Sequence, residues 1–246
     1  MAAGSAPEAR GLMDEQTFLD NFNNLIYRHK TYLCYETERM QDDLWIPLDD
    51  TRASCRTRSL MDEQTFLDNF NNLIYVHKTY LCYETERMQD DLSIPLDEYK
   101  GFLQNEGADK GSKRRHAESI FLGDIPSWNL DTELRYRVTC FISWSPCATC
   151  ADELTKFLRE NRHVNLRIFA ARIYERSQGY EAGLRKLKAA GAEVAIMSLQ
   201  EFEYCWKNFV DHQQDEDKPF PRWDNLDSEY ERLTKELEGI LQNQED

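Results

Sequence analysis

One long internal repeat constrains this chain more than anything else in it. Residues 12–49 read LMDEQTFLDNFNNLIYRHKTYLCYETERMQDDLWIPLD. Residues 60–97 repeat them with two changes, Arg28 to Val76 and Trp45 to Ser93. Two copies are too few for a solenoid, and the chain holds no third. Near identity points to duplication of one segment. A domain that uses this segment has one place for it, so one copy is expected to be surplus. The second copy runs without a spacer into the remainder of the chain, whereas the first leads into a polar stretch that reads as a linker. The expected organisation is an extension over residues 1–59, holding the duplicate (12–49) and a linker (50–59), and one domain over residues 60–246. Swapping of the spare copy between molecules (and thus a weak homodimer), displacement of the second copy's helix and hairpin by the first, and an inhibitory block of the domain's cleft all compete with a monomer carrying an inert or loosely docked extension.

Each copy reads as a helix and then a hairpin. Asp62 can cap a helix on which Phe66, Phe70, Leu73 and Ile74 share a face. Thr79–Glu86 is β-branched and aromatic and reads as a strand, with Leu92–Leu96 returning beside it. Beyond the repeat, strands and helices alternate. Tyr136–Trp144 is an almost continuous apolar run, as expected for a strand covered on both faces. Cys147–Glu160, Tyr180–Ala190, Gln200–Val210 and Ser228–Gln242 read as helices, His116–Leu122 as a shorter one. Val164–Ile173 and Glu193–Met197 read as strands. This order predicts an α/β domain with its sheet between helices.

Charge narrows the function. The chain carries a net charge of −15, which argues against a protein that simply coats nucleic acid. The acidic residues concentrate in the N-terminal third and after Asp211, and a basic cluster, Lys110, Lys113, Arg114 and Arg115, stands directly before His116. No apolar run is long enough to span a bilayer. The first ten residues lack the charged and apolar regions of a secretory signal, so a reducing compartment is expected, with the seven cysteines as thiols or metal ligands. Location in cytoplasm and nucleus is the expectation.

Two short motifs carry the chemistry: His116-Ala117-Glu118 and Pro146-Cys147-Ala148-Thr149-Cys150. A bare CxxC can be a redox pair, and a lone His is usually structural. In this order they match the signature H-x-E…P-C-x-x-C of zinc nucleobase deaminases. Pro146 suits the first turn of a helix. Cys147 and Cys150 then share one face near a helix N-terminus, which stabilises thiolates. His116 supplies a third ligand, and three protein ligands leave the fourth position of zinc open to water, as in catalytic sites. Glu118 stands two residues from a ligand, within reach of that water. The expected reaction is hydrolytic: zinc-activated water adds at C4 of cytosine, Glu118 protonates N3 and then the departing ammonia, and uracil remains.

The run HAE…FISWSPCATC…RIFAARIY…GLRKLKAAGAEVAIM…FVDHQ…ILQNQ resembles the AID/APOBEC polynucleotide cytidine deaminases, and is most similar to the APOBEC3 branch in its type-one zinc-domain form. The resemblance covers about Leu60 to Gln244. It implies a five-stranded mixed sheet flanked by about six helices, a zinc cofactor, and a substrate of single-stranded DNA or RNA. It also implies a role in restricting retroviruses and retroelements. Residue by residue, it implies that His77 packs against the bent nucleic-acid backbone and that Thr79 lies at the pocket floor. Asn105 contacts the target nucleotide, Trp144 and Tyr174 wall the base, and Ser145 holds the cytosine edge. Glu175 begins the loop that reads the base 5′ of the target and stands where an acidic residue favours T, so TC is expected over CC. Arg176, in the same loop, departs from the family's aromatic or acidic residue.

Three other functions share parts of this pattern. A free-cytidine deaminase has the chemistry but is usually smaller and lacks the Trp-Ser-Pro-Cys context and long helical C-terminus. A tRNA adenosine deaminase fits that context less well still. A non-catalytic binder would keep the zinc fold with its catalytic residues idle.

Overall fold

The structure is a computed structural model. It describes residues 60–89, 92–107, 114–212 and 217–242, together with the strand pairings of residues 30–31, 38–41, 44–47 and 58–59. The chain divides into two units, Met1–Ser59 and Leu60–Asp246. In the first, Lys30–Thr31 pairs antiparallel with Arg58–Ser59, and Glu38–Gln41 with Leu44–Pro47. That hairpin has the register of its twin in the second copy: Glu38 faces Pro47 as Glu86 faces Pro95. The helix expected in the first copy lies outside the described residues.

The second unit is a mixed sheet with helices on both faces. Its elements are β1 (Met61–Asp62), α1 (Glu63–Phe70), β2 (Tyr80–Gln89), β3 (Leu92–Pro95), β4 (Gly101–Gln104), α2 (Ala117–Asp124), β5 (Arg135–Ile142), α3 (Ala148–Glu160), β6 (Val164–Ala170), α4 (Tyr180–Ala189), β7 (Glu193–Ile196), α5 (Leu199–Phe209), β8 (Val210–Asp211) and α6 (Leu226–Gln242). The order across the main sheet is β7-β6-β5-β2-β3, with β4 also on β2. β5, β6 and β7 run parallel, and β2 is antiparallel to β5. The long β2 has a divided neighbour: β4 pairs with Tyr80–Tyr83 and β3 with Glu86–Gln89. The sheet is therefore five positions wide, as expected, with its last position filled by two short strands.

Period-two alternation explains why both faces are covered. Val138, Cys140 and Ile142 of β5 join one buried cluster with Phe121, Leu154 and Ile168. Phe141 points the other way, into a cluster with Phe66, Phe70, Phe202, Trp206 and Phe209. Asp62 caps α1, its Oδ1 accepting from the Thr65 amide at 2.8 Å. Ser198 and Glu201 form a full capping box at the start of α5. Gly191 closes the end of α4 with φ +101°, a conformation that suits glycine.

Two local expectations fail. The first helix stops at Phe70, so Leu73 and Ile74 leave its apolar face and stand 46% and 47% exposed. The Asn71 side chain accepts from the Leu73 amide at 2.9 Å, an Asx turn that competes with helix continuation. Pro146 precedes the cap of α3, which is Cys147, and so lies outside the first helical turn.

Candidate active site

The site lies where two helices begin. His116 is the N-cap residue of α2 and Cys147 that of α3. The approach to His116 is fixed by reciprocal main-chain hydrogen bonds between Glu106 and Arg115, at 2.9 and 3.3 Å. The approach to Cys147 leads directly from the end of β5. His116 Nδ1 lies 3.2 Å from Cys150 Sγ and 3.5 Å from Cys147 Sγ. Donor atoms of all three fall within 4.8 Å of one another, the one such group of metal-type ligands among the described residues. A tetrahedral zinc with ordinary bond lengths separates its nitrogen and sulfur ligands by about 3.6 Å. The spacing and the soft donor set therefore fit that ion.

The electrostatics suit the same use. The Cys147 thiol is pushed down to about 5, first by a hydrogen bond from Cys150 and then by His116, while Cys150 is pushed up as it keeps the shared proton. Both helix N-termini favour negative charge on these sulfurs. Glu118, in the first turn of α2, is 4% exposed. Burial pushes its carboxyl up to about 7, with the Cys147 thiolate adding to the shift. A group near 7 can both take and give a proton at neutral pH.

A cavity of about 230 Å³ opens on this group. Its lining brings together His77, Thr79, Asn105, Trp144, Ser145 and Tyr174 with His116, Glu118 and Cys147. Cys150 sits behind, against the other two ligands. Asn105 ties into the wall, its Oδ1 accepting from the Thr79 amide at 2.7 Å. Ser145 is buried, and its hydroxyl accepts from the Tyr174 amide at 2.9 Å. The Trp144 indole donates to the Val76 carbonyl at 3.1 Å and meets Tyr174 edge-on, ring centres 5.9 Å apart. Trp144 and Tyr174 thus form two walls at a steep corner, a shape that accepts a flat heterocycle.

Glu175 is not among these residues. It lines an adjoining groove with Asn72, Arg176 and Arg232. It stands close enough to Glu236 to help raise that carboxyl, after burial. Lys110 and Lys113 of the basic cluster lie outside the described residues. Arg114 lines the cavity, and Arg115 pairs with Glu106 at 3.5 Å.

Residue-type reasoning did not single out Arg172 or Tyr75. Arg172 is 4% exposed, and its guanidinium donates to the carbonyls of Asn69, Asn71, Ile74 and Ser143. It lies 4.2 Å from the Trp144 ring centre. Tyr75 packs on both His77 and Trp144, at 5.2 and 5.3 Å. A lone arginine in an otherwise apolar strand end was the available signal for the first. Nothing in the local pattern marked the second.

A mixed sheet that brings a buried acid, a His-Cys-Cys group and an aromatic corner to one cavity has the layout of a nucleobase deaminase domain. Comparison with known proteins narrows the class. The chain belongs to the APOBEC3 family: the family model for the APOBEC3 cytosine deaminase domain matches residues 59–241. It is 50% identical over 240 residues to the DNA dC->dU-editing enzyme APOBEC-3G of Papio anubis, covering 96% of this chain and 49% of that protein. The APOBEC-3G of Pongo pygmaeus is 48% identical over 243 residues, with the same two shares. The DNA dC->dU-editing enzyme APOBEC-3H of Felis catus is 45% identical over 143 residues, 58% of this chain and 72% of that protein. The chain thus spans about half the length of the APOBEC-3G relatives it matches.

Proposed function

We propose that this chain converts cytosine to uracil in single-stranded DNA by hydrolytic deamination, with zinc as its cofactor. The observation that carries the reading is the buried Glu118 carboxyl beside His116, Cys147 and Cys150 in an aromatic-walled cavity. His116, Cys147 and Cys150 hold the ion, which when bound supplies an activated water at neutral pH. Glu118 moves the protons: one to N3 of the ring as water adds at C4, one to the exocyclic nitrogen as it leaves as ammonia. Trp144 and Tyr174 hold the base out of the strand between them. Ser145 and Asn105 fix its edge and sugar, and His77 faces the backbone. The names of the relatives favour DNA.

The test is a pair of single-stranded oligonucleotides, DNA and RNA, each with one TC and one CC site. Zinc is measured in the same sample. Uracil in the DNA strand with about one zinc per chain is the expected result. A zinc-loaded protein that leaves both strands unchanged would overturn the reading.

The same geometry sets the expected response to salt. Near the cavity the described cations include Arg114 in its lining, the exposed Lys78 between the lining residues His77 and Thr79, and Arg176 stacked 4.0 Å over Tyr75. In a chain of net charge −15 this predicts a shallow salt dependence, log K against log salt falling with a slope of about −1 to −2. Arg114→Ala should lower the slope by about 0.7 and weaken all sequences alike, measurable by fluorescence anisotropy. Residues 60–246 should carry the activity alone. Deleting residues 1–59 should leave turnover and melting temperature within error of the full chain. An unfolded or inactive truncation would contradict this.

A further inference from the structure

We infer that the repeat gives this domain two interchangeable N-terminal segments, so that residues 12–49 can take the place of residues 60–97 within the same chain. The place is defined by the structure. Its buried anchors are Met61, Phe66, Phe70, Tyr80, Leu81 and Cys82. The first copy has the same residue at each corresponding position: Met13, Phe18, Phe22, Tyr32, Leu33 and Cys34. The two positions that differ are outside the core. Val76 is half-buried and Ser93 is exposed. The hairpins of both copies have the same register. Nothing in the packing therefore distinguishes one copy from the other.

Connectivity does distinguish them. In the described register the second copy joins Glu98 directly. In the exchanged register Asp49 would precede Glu98 in space, and residues 50–97 would leave and return as a loop. The insertion point, Asp97 and Glu98, is exposed, where long insertions are tolerated. Closing a loop of this length weights the exchanged register down by roughly 300-fold. Folded-to-unfolded ratios of single domains run from about 10³ to 10⁸. The exchanged form is therefore a minor state of a domain that stays folded, and it becomes the major one when the second copy is damaged. In it Arg28 replaces Val76, which lines the cavity and whose carbonyl receives the Trp144 indole. Under the proposed function, that puts an extra cation beside the substrate strand.

The experiment uses three full-length variants, each taken through urea unfolding and hydrogen exchange. Phe22→Asp alone should change nothing. Phe70→Asp alone should remain a monomer with one cooperative transition. Its peptides containing Arg28 should gain protection while those containing Val76 lose it. Phe22→Asp with Phe70→Asp should not fold. The milder pair Phe22→Ala and Phe70→Ala keeps the test readable should the charged variants fail to express. Phe22→Ala should be silent in the parent, yet lower the folded-to-unfolded ratio by roughly 2- to 15-fold in the Phe70→Ala background, because the exchanged register it abolishes already carries the loop weight. The inference fails if Phe70→Asp is as unfolded as the double variant, if the alanine effects simply add, or if Phe70→Asp folds only as a dimer. None of these readouts depends on deamination.

Discussion

Glu118→Gln should cut uracil formation by about 10²–10⁴-fold while zinc content stays unchanged. The two side chains have nearly the same shape, so the cavity and the His116-Cys147-Cys150 group keep their form. What is lost, under the proposed function, is the proton carrier at the reacting atoms. The carboxyl is poised for this by burial, which brings it to about 7. Oligonucleotide turnover at neutral pH, with metal analysis of the same sample, checks the expectation. Retention of more than about a tenth of the activity would assign the proton transfers to another group. The same substitution has a stability signature in the metal-free protein. A carboxyl raised from its usual 4.5 to about 7 favours folding when protonated. That contribution is complete below about pH 4.5 and is lost as pH rises through 7. Urea midpoints of metal-free Glu118→Gln should therefore fall less than those of the parent over that window.

Arg172→Met should lower stability by about 3–5 kcal/mol and shift the urea midpoint by roughly 1–3 M. The guanidinium is buried deeply enough that its pKa falls to about 9. Its compensation comes from four main-chain carbonyls and from the face of Trp144. Three of those carbonyls, Asn69, Asn71 and Ile74, belong to the end of α1 and the segment just after it. Met fills much of the volume but leaves each acceptor without its donor. Arg172→Lys should rescue little, because an ammonium cannot reproduce a planar fork that serves three directions. Trp144 loses its support in both variants, so the apparent KM for single-stranded DNA should rise together with the loss of stability. A variant of parental stability would mean that other donors replace the guanidinium there.

The two short motifs were legible because their chemistry is local. A ligand, a carboxyl two residues on, and two cysteines a helical turn apart need no tertiary information to be recognised. The alternation of apolar strands with amphipathic helices was legible for the same reason. Arg172 was not, because most of its partners lie about a hundred residues away and are main-chain atoms that no residue type advertises. The early end of α1 was hidden with it. Leu73 and Ile74 continue the apolar spacing, and only the Asn71 turn and the arginine show why the helix gives way there. The divided edge of the sheet escaped notice because Gly101–Gln104 is too short to show a period. Glu175 enters only through the family resemblance, as a reader of the base 5′ of the target and not as a wall of the cavity, and the chain turns at Glu175 and Arg176. Tyr174 reaches the cavity, and Glu175 lines only the adjoining groove.

That turn has a practical meaning for altering the protein. Trp144 and Tyr174 both stand just past the C-terminal ends of neighbouring parallel strands, β5 and β6, and Arg172 bolts the two exits together beneath them. Everything up to Tyr174 is bench, and so are Ser177, whose hydroxyl accepts from the Ala148 amide at 3.2 Å at the start of α3, and Gly179, which holds φ +78° before α4; Glu175 and Arg176 are fixture. Under the proposed function, exchanging Glu175 and Arg176 should change the contacts made beyond the cavity while the walls Trp144 and Tyr174 keep their place.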